Sequence, residues 1–70
     1  MIPLVFATIG EEHIIKKIGG NDEVKHHLGN LGFTAGASVT VVNSLSGNLI
    51  VKVKDSRVAI NEDMARRIMI

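Results

Sequence analysis

Turn residues interrupt the sequence so often that only short helices and strands fit between them. The turn signals, single glycines or pairs typical of tight turns, are Gly19-Gly20, Gly32, Gly36, Gly47-Asn48 and Asp55-Ser56. No apolar run between them approaches the ~18 residues of a membrane-spanning helix. The sequence therefore predicts one small domain over residues 1–70, with no direct insertion into a membrane.

The chain lacks residue types that several functional classes require. It contains no cysteine, which excludes disulfides, thiolate zinc sites and thiol nucleophiles. Its formal net charge is +1 and aromatic residues make up 3% of the chain, which argues against nucleic-acid binding and against a groove for proline-rich peptides. Its serines lie in turn contexts without a matching histidine and acid. We therefore expect a binding protein rather than an enzyme, without a nucleic-acid partner.

Alternation of apolar and polar residues predicts a mainly β fold. The predicted strands cover residues 11–18, 38–43, 49–54 and 57–60, with a half-strand at 69–70. Leu49, Val51 and Val53 would point inward from the third of these strands. Short strands leave exposed edges unless the sheet closes, so we predict a small SH3-like five-stranded barrel. Any edge that stays open would favour a homo-oligomer.

Two short helices are predicted between and after these strands. Asn21 or Asp22 would cap an α-helix over about residues 22–31, and Gly32 would end it in a left-handed conformation. The apolar stripe of this helix consists of Val24, Leu28 and Leu31. Asn61 would cap a one-turn helix near the C-terminus.

The histidines are the candidate metal ligands. On the predicted helix, Asp22 lies one turn before His26 and Glu23 lies one turn before His27. Such pairs either bind a divalent metal weakly or simply stabilise the helix. His26 and His27 are adjacent, so they point about 100° apart and do not easily share one ion. His13 would join them only through tertiary structure. We expect no cofactor, with a weakly bound divalent metal, Fe or Zn, as the alternative.

Several short strings combine into one specific pattern. They are Lys17-Ile18-Gly19-Gly20, Leu28-Gly29-Asn30-Leu31-Gly32-Phe33 with Thr34-Ala35-Gly36, Gly47-Asn48-Leu49-Ile50-Val51, and Ser56-Arg57-Val58-Ala59-Ile60. Together they resemble the FeoA family (ferrous iron transport protein A), from Pro3 to Ile70.

The resemblance implies an SH3-like barrel that serves as a cytoplasmic accessory or regulatory protein of bacterial ferrous iron uptake. The implied partner is the cytosolic G-protein region of the membrane ferrous iron transporter. The resemblance carries over no catalytic residue. The alternative function is a divalent-metal sensor or carrier that uses His13, His26 and His27, since imidazole and oxygen ligands suit such metals.

Apolar residues outside the predicted core are the candidates for a docking surface. These residues are Leu4, Phe6, Val42, Leu45 and Ile50. Leu4 and Phe6 would cover or flank the mouth of the barrel, Val42 breaks the alternation of its strand, Leu45 lies at a hairpin tip, and Ile50 faces outward. The alternative for each residue is that it fills the small core.

Overall fold

The computed structural model describes all 70 residues as six short strands and two α-helices. A 3-10 turn at Leu4–Phe6 comes first. The elements that follow are β1 (Glu12–Ile14), β2 (Lys17–Ile18), α1 (Asp22–Asn30), β3 (Ser38–Leu45), β4 (Asn48–Val53), β5 (Ser56–Asn61), α2 (Glu62–Arg67) and β6 (Ile68–Met69). The mainly β fold predicted from the alternation is confirmed. Neither helix has the length and the apolar character that crossing a membrane would require.

Two antiparallel sheets enclose one core. The larger sheet has the strand order β1-β3-β4-β5, and the smaller one pairs β2 with β6. The core is a cluster of 13 buried apolar residues, among them the predicted inward residues Leu49, Val51 and Val53. Their burial supplies the main favourable free energy of so small a fold.

The chain changes sheets at Ile15 and Lys16, where one continuous strand over residues 11–18 was predicted. The Ile15 amide donates to the Ala37 carbonyl at 2.9 Å, whereas the Lys16 amide donates to the Met69 carbonyl at 2.8 Å. The prediction of one strand is therefore wrong, and the barrel has six short strands instead of five. The physical reason is closure, because a strand that turns a corner between two sheets must bend.

The strand pairs β3–β4 and β4–β5 are joined by two-residue turns, each one residue earlier than predicted. Leu45 pairs with Asn48 across Ser46 and Gly47, and Val53 pairs with Ser56 across Lys54 and Asp55. Ser46 and Lys54 have positive φ angles of 48° and 55°. Hairpin turns of this length require positive φ, so a serine and a lysine fill positions that sequence patterns reserve for glycine or asparagine.

Helix α1 has the predicted caps at both ends. The Asn21 side chain accepts a hydrogen bond from the Val24 amide at 2.9 Å. At the other end, the Phe33 amide donates to the Leu28 carbonyl and the Gly32 amide donates to the Gly29 carbonyl, at 2.9 and 3.0 Å. These two bonds form a Schellman motif, which places Gly32 at a φ of 105°.

Helix α2 begins as predicted at Asn61, whose side chain accepts from the Met64 amide at 2.8 Å. Ala65 is the fully buried residue of this helix, and Met64 is partly buried against the core. The buried Ile68 follows this helix and belongs to β6. The 3-10 turn packs against α2.

Gly29 and Gly32 give a matched test of the α1 terminus. A Cβ at Gly29 would meet nothing within 4 Å, so Gly29→Ala should raise the free energy of unfolding by roughly 0.5–1 kcal/mol through helix propensity. Gly32→Ala should lower it by about 1–2 kcal/mol, because an L residue is strained at this positive φ. Urea denaturation of both variants measures the difference, and equal shifts of the same sign would contradict the helix end described here.

Candidate functional site

Three of the candidate docking residues, Val42, Leu45 and Ile50, belong to β3 and β4. Leu45 and Ile50 share the outer face of the larger sheet, because Leu45 pairs with Asn48 and Ile50 is two residues further along β4. The two are diagonal neighbours, whose separation is about 7–8 Å. Leu45 is 56% exposed and Ile50 is half-buried. We call Val42, Leu45 and Ile50 the hairpin surface.

Val42 owes its position to a β-bulge. The register between β3 and β4 shifts between Val41 and Asn43, so Val42 has no partner on β4. Val41 is buried and Val42 is half-buried. A bulge of this kind bends its strand and redirects the side chain, which explains why Val42 breaks the alternation of the sequence.

The two N-terminal candidates have different environments. Phe6 is 72% exposed, whereas Leu4 is 0% exposed and belongs to the core cluster. Leu4 therefore fills the core and cannot serve as a docking residue in this structure. The reason is the 3-10 turn, which points one apolar residue into the space between the sheets and α2 and leaves Phe6 at the surface.

The candidate metal ligands do not form a three-ligand site. All four α1 candidates, Asp22, Glu23, His26 and His27, are exposed. No group of three or more histidine and acidic residues is placed to hold a metal ion. Glu23 and His27 do line one shallow cleft between α1 and α2, so the structure joins two of the four candidates at most.

His13 lies away from this cleft, on β1. Its Nε2 atom is buried without a hydrogen-bond partner and lies 3.9 Å from Glu11 Oε1, which is too long for a hydrogen bond. His13 is paired with the buried Val39, so it sits on the inner side of the sheet. The predicted alternative that combines His13 with His26 and His27 receives no support from this placement.

Sequence reasoning missed a polar groove on the outer face of the larger sheet. The groove spans β1, β3 and β4 and has a volume of about 400 Å³. Its lining residues are Glu12, Ala37, Ser38, Thr40, Lys52 and Lys54. A two-residue turn at residues 54–55 places Lys52 opposite Arg57. The turn was predicted one residue later, so the cross-strand partners of Lys52 and Lys54 were not recognised from the sequence.

The comparisons with known proteins agree with this geometry. A model of the FeoA domain matches residues 2–70. The chain belongs to the FeoA domain family. It is 36% identical, over all of its 70 residues and 85% of the relative, to a protein of Methanocaldococcus jannaschii named "Putative Fe(2+) transport protein A".

Solved structures of FeoA proteins have the same fold. A crystal structure of an iron uptake regulatory protein (FeoA) is 29% identical and superposes with a TM-score of 0.88, over 96% of this chain and 91% of that one. The zinc complex of Stenotrophomonas maltophilia FeoA, described as a prokaryotic SH3 domain protein, is 23% identical with a TM-score of 0.85, over 99% and 88%. The SH3-like fold expected from the sequence is thereby confirmed.

Leu4 and Phe6 test the distinction between core and surface. Leu4→Ala should lower the free energy of unfolding by about 2–4 kcal/mol, because it leaves a cavity in the core. Phe6→Ala should change it by less than about 1 kcal/mol, as expected for an exposed side chain. Both values come from urea denaturation, and a larger loss for Phe6→Ala than for Leu4→Ala would reverse the assignment.

Proposed function

We propose that this protein is a cytoplasmic accessory of ferrous iron uptake that binds the cytosolic G-protein region of the membrane ferrous iron transporter. The observation that carries the proposal is the family match over residues 2–70, which covers nearly the whole chain. The relatives named for Fe(2+) transport and iron uptake regulation support the same process.

The proposed docking site is the hairpin surface. Leu45 is a large apolar side chain that remains 56% exposed although the core of this protein is small. Exposed apolar residues that adjoin one another are typical of interaction sites. The neighbouring Ile50 is half-buried, so a partner could cover both side chains without a change in the fold.

Binding rather than catalysis is the proposed mode of action. The exposed ion pairs join Arg66 to Glu62 and Asp63, and the partly buried His13 lies 3.9 Å from Glu11. These pairs lie outside the hairpin surface. The alternative role, a divalent-metal sensor or carrier, would require ligands beyond the Glu23 and His27 pair of the α1–α2 cleft.

Titration with the isolated G-protein region of the transporter from the same organism tests the proposal. With the ¹⁵N-labelled chain, we expect saturable NMR shifts and a Kd below about 1 mM, which corresponds to roughly −4 kcal/mol. Leu45→Ser should weaken binding by at least about fivefold, a loss typical of an interface anchor. Ile2→Ser is the matched control, since Ile2 is 47% exposed and its backbone pairs with Ile70 instead of the hairpin.

The same titration decides against the proposal in two ways. Absence of binding up to about 1 mM, with and without guanine nucleotide, would contradict the choice of partner. Equal losses for Leu45→Ser and Ile2→Ser would retain the partner but reject the hairpin surface as its docking site.

A further inference from the structure

The outer face of the larger sheet carries a pair of like charges, at the edge of the polar groove, that no salt bridge within the protein neutralises. Lys52 of β4 lies directly opposite Arg57 of β5. Like charges at directly opposite positions of an antiparallel pair destabilise the sheet. Neither side chain has a carboxylate oxygen within salt-bridge distance, so the repulsion is not offset inside the protein.

A third cation extends this charge along the groove. Lys54 is the first residue of the turn that follows β4, and it lines the groove together with Lys52. Lys52, Lys54 and Arg57 are all exposed, and they therefore form one short positive strip on an otherwise nearly neutral protein.

The acidic residues near the strip limit what it can bind. Glu12 of β1 pairs with Thr40 of β3, which in turn pairs with Lys52 of β4. Since neighbouring strands lie ~4.8 Å apart, the backbone at Glu12 is roughly 10 Å from the backbone at Lys52. Asp55 occupies the turn beyond Lys54. The positive charge is thus confined to a short stretch between two acids, which does not suit a continuous phosphate backbone.

We propose that this groove binds an acidic, extended segment of a partner protein. A chain in the extended conformation presents alternate side chains to one face, so its successive carboxylates can reach both lysines that line the groove. Its carboxylates would lie over the lysines and Arg57, while the hydroxyl groups of Ser38 and Thr40 donate hydrogen bonds from the floor of the groove.

A linked series of carboxylates fits this site better than a single small anion. Each exposed ion pair contributes little in water because both groups stay hydrated and their side chains lose freedom. Several pairs made by one extended segment add up, because the second and third contacts form within the same complex. The positive strip is separate from the hairpin surface, and the peptide titrations below contain no transporter domain.

The first test uses a synthetic peptide of alternating glutamate and valine and the intact ¹⁵N-labelled protein. We expect amide shifts centred on β3 and β4, and a loss of affinity when glutamine replaces glutamate in the peptide. Lys52→Gln combined with Lys54→Gln should weaken binding about three- to tenfold, in line with two exposed ion pairs.

The matched control removes two lysine charges from a part of the surface outside the positive strip. Lys16 and Lys17 are also exposed, and they lie at the sheet corner and on β2. Lys16→Gln combined with Lys17→Gln should leave peptide affinity within about twofold of the parent protein, because it does not touch the strip. An equal loss in both double variants would show attraction by net charge alone and overturn the proposal.

Two further titrations compare the acidic peptide with inorganic phosphate and with a single-stranded oligonucleotide. Inorganic phosphate that shifts the same amides at lower concentration than the peptide would assign the groove to a free anion instead. Tighter binding of a single-stranded oligonucleotide than of the peptide would assign it to nucleic acid. Either result would overturn the proposal of an acidic protein segment.

The stability of two lysine variants tests the repulsion between Lys52 and Arg57 independently of peptide binding. Lys52→Gln should raise the urea midpoint, since it removes the repulsion across from Arg57. Lys54→Gln should leave the midpoint nearly unchanged, because Lys54 lies in the turn and has no cross-strand partner on β5. A midpoint that falls or stays constant for Lys52→Gln would remove the like-charge repulsion on which the inference rests.

Discussion

Closure of the barrel at Ile15 and Lys16 is the constraint on which the remaining structure depends. These two adjacent amides donate to different sheets, one to Ala37 and the other to Met69, and the Ile15 side chain is buried in the core between the sheets. The bend fixes which face of each strand is enclosed. It therefore also fixes which residues of β3 and β4 remain outside, where both the hairpin surface and the positive strip are found.

Local chemistry made much of this fold predictable. The α1 caps follow from Asn21 and Gly32, whose side-chain and backbone properties act within one turn of the helix. The inward row on β4 follows from strict alternation. The break at Ile15 was not predictable in the same way, because the apolar residues Ile14, Ile15 and Ile18 fit a continuous strand equally well until the second sheet is known.

The candidate site was harder to predict because it depends on register. Ser46 and Lys54 adopt positive φ, so each hairpin turns one residue earlier than glycine and asparagine patterns indicate. A one-residue change in a turn changes every cross-strand partner, and this concealed the Lys52 and Arg57 pair. Leu4 was misassigned for a different reason, since its burial comes from packing of the 3-10 turn against distant elements.

The protein thus combines a small closed core with an outer sheet face that offers apolar and cationic contacts, and the central claim is that it acts through this face as a FeoA-family binding protein. Amide hydrogen exchange of the chain with the intact transporter in lipid nanodiscs tests the claim most directly. We expect added protection in β3 and β4, with unchanged exchange in the small β2–β6 sheet. Protection confined to β2, β6 or α1, or no change at all when the transporter is present in excess, would contradict it.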